Sequence, residues 1–136
     1  MSAQLDRFNR RMAAIPKAVR EAVQPALAKS GQDLATMQRI LAPRDTGDLQ
    51  DSIHVTLPGE TTPPYSQPGG SRTAKENEVI VTVGNSDVRY PHLVEYGTVN
   101  AAARPFFWPA FRLLKRKLAN RIKRSISKAV RENWDK

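Results

Sequence analysis

The sequence contains no cysteine, and this absence excludes disulfide bonds and thiolate metal sites. It has no apolar run close to the roughly 18 residues that a membrane-spanning helix needs. Histidine is nearly absent, and neither His54 nor His92 has a partner at the spacing of a metal site or a catalytic triad. We therefore expect an ordinary apolar core, with no membrane partner, no metal and no cofactor.

Motifs that carry enzymatic chemistry are also missing. The stretch PGGSR at 68–72 is rich in glycine but lacks the lysine and the helix onset that bind a phosphate. Asp45, Asp48 and Asp51 are spaced like part of a calcium loop, but the glycine and glutamate positions of such a loop do not match. Turn formation and helix capping explain these aspartates better. We expect no catalytic residue and a protein that is not an enzyme.

Positive charge is abundant and unevenly distributed. The chain carries a formal net charge of +9, and the segment 112–136 contains ten basic and two acidic residues, a balance of +8. The sequence therefore predicts a nearly neutral body with a basic C-terminal segment. Nucleic acid, an acidic protein surface or an anionic membrane could each attract such a segment.

The first forty residues have the apolar spacing of a helix. Pro16 is suited to the first turn of a helix, whereas Pro25 predicts a kink or a split, and the helix should end before Pro43. Residues 1–15 could form a separate N-terminal helix within a single domain, 1–136. The predicted apolar stripe consists of Leu5, Phe8, Met12, Ile15, Val19, Val23, Leu27, Leu34, Met37 and Leu41.

Two strands and a long loop follow in the prediction. Residues 52–57 alternate polar and apolar, and residues 79–83 are rich in β-branched side chains. Between them, 58–77 contains four prolines and three glycines and predicts a flexible loop. The order of elements indicates an α+β fold with a small antiparallel sheet of about four strands.

A long basic helix is predicted after Pro109, over residues 111–136. Its apolar stripe consists of Phe111, Leu114, Leu118, Ile122, Ile126 and Val130. Lysine and arginine are good helix formers, so these residues could form a solvated face. Like charges spaced four residues apart repel one another, which favours a helix that faces something anionic, either DNA or an acidic partner protein. The predicted partner-binding face comprises Arg112, Lys115, Arg116, Arg121, Lys123, Arg124 and Lys128.

The segment VEYGTVNAAARPFFWPAF at 94–111 fits neither a regular helix nor a strand. Glu95 is either a buried ion-pair partner or a residue at the rim of an interface, and Gly97 is expected in a backbone conformation that other residues avoid. The aromatic run is either a core anchor or a subunit contact. The predicted interface residues are Tyr65, Glu95, Tyr96, Gly97, Phe106, Phe107 and Trp108.

Two stretches resemble the paired signatures of a siphophage head–tail junction family, the tail-completion proteins similar to the gene product 10-like neck proteins of lambdoid phages. They are APRDTGDLQDSI at 42–53, and YPHLVEYGT at 90–98 followed by RPFFWPAF at 104–111. The resemblance extends from about residue 15 to residue 120. The long loop at 58–77 and the basic C-terminus depart from the family pattern.

The resemblance implies a structural virion protein that completes or terminates the tail and joins it to the filled head. It implies a ring of six, or alternatively twelve, copies in the neck, made in the host cytoplasm. Neighbouring neck proteins and the tail tube would be its partners, and genomic DNA would pass through the lumen. Because tight phosphate binding would slow the exit of DNA, the basic helix should face an acidic neighbouring ring or the outer rim. The alternative is a non-specific nucleic-acid-binding protein that acts through this helix.

Overall fold

A computed structural model describes residues 17–44 and 47–134 and shows an α+β fold. A long helix, α1 (Lys17–Leu41), is followed by the short helix α2 (Asp48–Asp51) and the strands β1 (His54–Thr56) and β2 (Ile80–Thr82). The short helix α3 (Pro91–Tyr96) and the long helix α4 (Phe107–Trp134) complete the described part. This order confirms the predicted class. The predicted separate helix at 1–15 lies outside the described residues.

The first long helix continues through Pro25 instead of splitting there. Proline has no N–H, so the helix lacks one backbone hydrogen bond at this point. Val23 and Leu27 flank the proline and are both buried. Burial of each such side chain contributes about 1.5–3 kcal/mol, which offsets the missing bond. Tertiary packing therefore prevails over the local preference for a break.

The sheet has two strands in the described part of the chain, fewer than the four expected. The strands are antiparallel, with Val55 opposite Val81 at the centre of the register. Two isolated bridges, Thr61–Thr73 and Gln67–Val83, involve segment 58–77, which was predicted to be a flexible loop. The prolines of the intervening segment cannot donate to a ladder, so pairing there does not extend.

Segment 58–77 pairs with itself and with the end of β2. The amide of Gly59 donates to the carbonyl of Ala74 at 3.0 Å, and the amide of Thr62 donates to the carbonyl of Arg72 at 2.8 Å. Gln67 exchanges two backbone hydrogen bonds with Val83, at 2.9 and 3.0 Å. These bonds place the segment against the sheet, beside the start of α3.

The first helix packs closely onto the sheet at Gly31. A Cβ atom at this position would lie 2.6 Å from a methyl carbon of Val79 and 2.9 Å from one of Val55. The helix can approach this closely only because residue 31 has no side chain. The same helix also packs against α4, with Val19, Val23, Leu27 and Ala129 in one buried cluster.

The second long helix begins earlier than predicted, at Phe107, and Pro109 lies in its first turn. Its predicted apolar stripe is only partly buried. Leu118 is buried, but Ile126 and Val130 are 39% and 38% exposed, and Ala129 is buried instead. The packing helix α1 covers one flank of α4, and part of the apolar stripe lies on the other flank.

Candidate functional site

Glu95 caps the start of α4. Its carboxylate oxygen Oε1 accepts hydrogen bonds from the backbone N–H groups of Phe106 and Phe107, at 3.0 and 2.9 Å, and Oε2 accepts one from Trp108 at 3.3 Å. The first N–H groups of a helix have no acceptor within the helix, and the helix dipole favours a negative group there. Glu95 is therefore buried by its role in the fold, and its predicted roles as an ion-pair partner or an interface residue stay predictions.

The cap accounts for the backbone donors of the first turn of α4. Pro109 has no N–H, and the amide of Ala110 donates to the carbonyl of Phe106 within the helix. With the three donors that Glu95 accepts, every N–H from residue 106 to residue 110 has a partner. Because Pro109 has no N–H, no further backbone donor in this turn needs an acceptor.

The turn that follows Glu95 depends on Gly97. Its φ is 78° and its ψ is 175°, a conformation that side-chain-bearing residues avoid, as the sequence predicted. A Cβ at this position would lie 2.7 Å from the amide nitrogen of Ala103. The amide of Arg104 donates to the carbonyl of Val94 at 2.8 Å, which returns the chain to α3 before the aromatic run.

The aromatic residues divide between the core and the surface. Phe106 is fully buried and Phe107 nearly so, whereas Trp108 is 37% exposed and Tyr96 is 70% exposed. The indole N–H of Trp108 donates to the hydroxyl of Tyr96 at 2.9 Å, and the ring of Trp108 stands edge-on to Phe111 at 6.3 Å. Tyr96, Trp108 and Phe111 form what we call the exposed aromatic cluster.

The two stretches that resemble a family signature meet in one core. Leu49 and Ile53, from the first stretch, pack in the same buried cluster as Phe106 and Phe107 from the second. The hydroxyl of Ser52 donates to the carbonyl of Leu49 at 2.7 Å and accepts from the amide of Gly84 at 3.1 Å. The first stretch therefore supplies part of the core in which the buried phenylalanines of the aromatic run pack.

A pocket of about 360 Å³ lies beside the exposed aromatic cluster. Tyr96 and Trp108 form part of its wall, and Gln67 and His92 another part. The side-chain nitrogen Nε2 of Gln67 lies 3.1 Å from Nδ1 of His92. This contact joins segment 58–77 to α3, so the loop contributes to the same surface as the aromatic residues.

Tyr65 lies in segment 58–77. It is exposed, with a φ of 63°, and the guanidinium carbon of Arg89 lies 3.8 Å from its ring centroid. The structure thus pairs Tyr65 with Arg89, while the other predicted interface residues gather at the start of α4.

The predicted basic face of α4 is exposed along its length, with one exception. Arg121 is largely buried, and its guanidinium contacts Asp33 of α1 at 2.8 Å and the hydroxyl of Ser30 at 3.5 Å. This arginine joins the two long helices. Lys128 lies 4.0 Å from Glu132 on the surface. The exposed members of the predicted face are Arg112, Lys115, Arg116, Lys123, Arg124 and Lys128.

Sequence reasoning did not identify Glu95 as a cap. One feature of the sequence could have indicated it. Phe106 stands at the position where serine, threonine, aspartate or asparagine usually caps a helix, so α4 has no cap of its own. A helix start without a local cap needs an acceptor from elsewhere in the chain. Glu95 is the nearest preceding acidic residue in the sequence.

Comparisons with known proteins identify a family. A family model described as "Bacteriophage HK97-gp10, putative tail-component" matches residues 6–97, a range that includes α1 to α3, Glu95 and Gly97 but stops before α4. No curated protein and no solved structure gives a significant match. Within the described residues, no helix combines the length and the apolar character needed to cross a membrane.

Proposed function

Since the chain belongs to the HK97 gp10-like family of phage tail components, we propose that it is a structural virion protein that forms a ring at the head–tail junction. There it would complete the tail and join it to the DNA-filled head. Its partners would be other copies of itself, the neighbouring neck proteins and the tail tube protein. This role requires surfaces for protein contacts and no catalytic group.

The observation that carries this proposal is the rigid presentation of the exposed aromatic cluster. Tyrosine and tryptophan are enriched at the centres of protein interfaces, where they supply a large contact area. Tyr96 follows Glu95 directly, and Trp108 is the second residue of the helix that Glu95 caps. Both side chains are therefore held at a point where the backbone is fixed by buried hydrogen bonds.

The basic face of α4 supplies a second contact in this proposal. Apart from Arg121, the cations of this face are exposed, so they can meet a neighbouring surface. We infer that this surface is acidic protein, because a row of exposed cations in the lumen would retain the passing DNA. Charge of this kind would orient neighbouring subunits and speed their association.

Assembly of the purified protein tests the proposal. Native mass spectrometry of the full-length chain should show a closed ring with a fixed copy number, either alone or with tail tube protein. A Tyr96→Ala, Trp108→Ala variant should remain folded by circular dichroism but lose the ring. Tyr90→Ala is the matched control, because Tyr90 is an exposed tyrosine that directly precedes the helix of Tyr96 and lies outside the exposed aromatic cluster. A native chain that stays monomeric and does not join particles would refute the role.

The exposed cations also favour a second candidate, non-specific binding of nucleic acid. Such binding would weaken steeply with salt, since each phosphate contact releases counterions. Titration of duplex DNA over a series of salt concentrations separates the two roles. The neck protein should bind DNA weakly at physiological salt, whereas tight binding without incorporation into virions would support the alternative.

A further inference from the structure

Strand β2 has an unpaired stretch of backbone on the edge that faces away from β1. On this edge Val83 exchanges two backbone hydrogen bonds with Gln67, at 2.9 and 3.0 Å. Because the N–H and C=O groups of successive residues in a strand point to opposite edges, those of Val81 point to the same edge as those of Val83. Neither group of Val81 has a hydrogen-bond partner among the described residues. The donor and the acceptor of Val81 are therefore open to a further strand.

The neighbouring segment 58–77 leaves this edge after a single bridge. In the antiparallel register of that bridge, Gly69 would stand opposite Val81. Gly69 and Gly70 instead have φ values of 86° and 65°, which turn the chain away from β2. Val79, two residues before Val81, also makes no backbone hydrogen bond within the described part of the chain. An open strand edge of this kind is a template for another chain, and proteins usually cover it.

An open groove of about 530 Å³ lies along this edge. Pro68, Val79 and Val81 line it on the side of the sheet, and α1 and α4 form its walls. The walls are mainly apolar, so a segment that enters the groove would bury apolar side chains as well as pair with β2. The apolar residues of the two helices that line the groove include Leu27, Leu34, Phe111, Leu118, Ala119 and Ile122.

Charge in the groove favours an acidic occupant. The charged residues that line it are Arg72 and Lys115. Nη1 of Arg72 lies 3.3 Å from Oε2 of Glu78, so this cation is already paired. Lys115 is exposed and has no acidic partner among the described residues. A carboxylate near Lys115 would therefore be attracted, whereas a further cation would be repelled.

These features together specify an extended strand as the occupant. A helix satisfies its backbone groups internally, whereas an extended chain offers them to a neighbouring edge. The described part of the chain does not supply such a segment to another copy, because its acidic residues lie in helices, in segment 58–77 or within five residues of β2. Residues 1–16 carry three arginines and a single aspartate, a charge that this groove would repel. The occupant therefore belongs to a different protein.

We propose that the open edge of β2 binds an extended segment of a different protein, with apolar side chains at alternate positions and a carboxylate that meets Lys115. The segment would exchange backbone hydrogen bonds with Val81, continue toward Val79 and so add a third strand to the sheet. Its alternate side chains would pack on the apolar walls, because the side chains of a strand alternate between two faces. The inference rests on the proposed function only for the source of the segment, which would be a neighbouring virion protein.

The absence of cysteine allows a peptide to be tethered beside the open edge. Ala119→Cys places a thiol on the α4 wall of the groove. Asn120→Cys is the matched control, because Asn120 is the next residue of the same helix and is exposed but does not line the groove. The probe is the blocked peptide CGGVEVTV, whose cysteine forms a disulfide with either variant of the full-length protein. A second probe carries N-methyl groups on its three valines, so these residues cannot donate to β2.

Amide hydrogen exchange at Val81, measured by NMR, detects the added strand. In the free protein, Val81 should exchange faster than Ile80 and Thr82, which pair with β1. The first peptide tethered at residue 119 should slow exchange at Val81 at least about tenfold, because the tether holds the peptide at high effective concentration. The same peptide at residue 120, or the N-methylated peptide at residue 119, should leave the exchange rate of Val81 unchanged.

The role of charge is tested by the equilibrium between tethered and free peptide at a fixed concentration of reductant. In the Ala119→Cys variant, Lys115→Glu should lower the tethered fraction, because it replaces attraction with repulsion. Lys117→Glu is the control, since Lys117 is an exposed lysine of the same helix that does not line the groove. Circular dichroism confirms that each variant is folded.

Each contrary result would overturn the proposal. Slow exchange at Val81 in the free protein would show that the edge is already covered. No protection from the first peptide, or equal protection from both peptides or at both tethering positions, would show that the peptide does not pair with β2. An unchanged tethered fraction in the Lys115→Glu variant would overturn the requirement for a carboxylate. None of these measurements depends on ring formation, so failure here is distinguishable from failure of the proposed function.

Discussion

The two ends of α4 are held in different ways. Its first turn is fixed by the cap from Glu95 and by two buried phenylalanines, Phe106 and Phe107. Over its last turns, Ala129 is buried whereas Ile126 and Val130 are partly exposed. The helix is therefore anchored at the end where the exposed aromatic cluster lies, and its basic C-terminal half lies on the surface of α1.

This difference shows how one helix can serve two kinds of contact. Aromatic recognition needs side chains that are already ordered, because ordering them on binding costs about 0.5–1.5 kcal/mol each. Long-range attraction between charges does not need such order, and it acts over about 8–10 Å at physiological salt. The basic residues also complement the negative end of the helix dipole, where Arg131 lies in the last turn.

The largest effect should come from the anchored end. Phe106→Ala should lower the free energy of unfolding by about 3–5 kcal/mol, because it leaves a cavity in the core. Val130→Ala, at the other end, removes a partly exposed side chain and should cost about 1 kcal/mol or less. Urea denaturation of both variants measures the two values. Similar losses at both positions would show that the ends are equally anchored.

Removal of the cap should have the next largest effect. Glu95→Ala should lower the free energy of unfolding by about 2–3 kcal/mol, because buried N–H groups lose their acceptor. Glu132→Ala serves as the control near the C-terminal end, where an exposed carboxylate contributes about 0.5 kcal/mol or less. Amide hydrogen exchange should accelerate at Phe107 and Trp108 in the first variant only. Unchanged protection there would contradict the capping role.

The contact between the long helices should contribute less. Arg121→Ala should cost about 1–2 kcal/mol, because the partly buried pair with Asp33 is lost. Arg124→Ala removes an equally long cation from the surface of the same helix and should cost little. A double-mutant cycle with Asp33→Ala measures the coupling between Arg121 and Asp33. A coupling energy near zero would mean that the pair does not join the helices.

The smallest effect should come from the surface pair near the C-terminus. Lys128→Ala should change stability by no more than about 0.5 kcal/mol, since exposed ion pairs in a helix contribute little. The same variant should nevertheless slow ring assembly at low salt if the basic face orients neighbouring copies. Assembly rates at two ionic strengths check this. A destabilisation above 1 kcal/mol would show that Lys128 has a structural contact.

The periodic elements of the fold could be predicted from the sequence, and the contacts between elements could not. Both long helices follow from apolar spacing, and the positive φ of Gly97 follows from its place in an irregular turn. Glu95 acts as a cap because the turn at Gly97 brings the backbone N–H groups of residues 106–108 to its carboxylate. No local sequence pattern shows that these groups are close to Glu95. The burial of Arg121 was missed for a similar reason, since its partner Asp33 is far away in the sequence.

Three predictions were met only in part, because the sequence pattern left a competing influence unweighed. Of the kink or split predicted at Pro25, the split is not observed, because burial of Val23 and Leu27 stabilises a continuous helix. The predicted sheet of about four strands has two in the described part of the chain, and the proline-rich segment between them adds only isolated bridges. The apolar stripe on α4 was predicted to be buried along the whole helix. Only part of it is buried, because burial depends on which flank of α4 another element covers.

The bend that follows Gly97 offers a place to label the particle. Val99 is fully exposed at its tip, and the amide of Thr98 donates to the carbonyl of Ala101 at 2.8 Å to close the bend. On either side, Gly97 and Arg104 donate to α3 through separate backbone bonds. A short epitope inserted after Val99 would therefore be held on both sides by these backbone hydrogen bonds. In an assembled particle, an antibody bound to the epitope would mark the position of the subunit in electron micrographs.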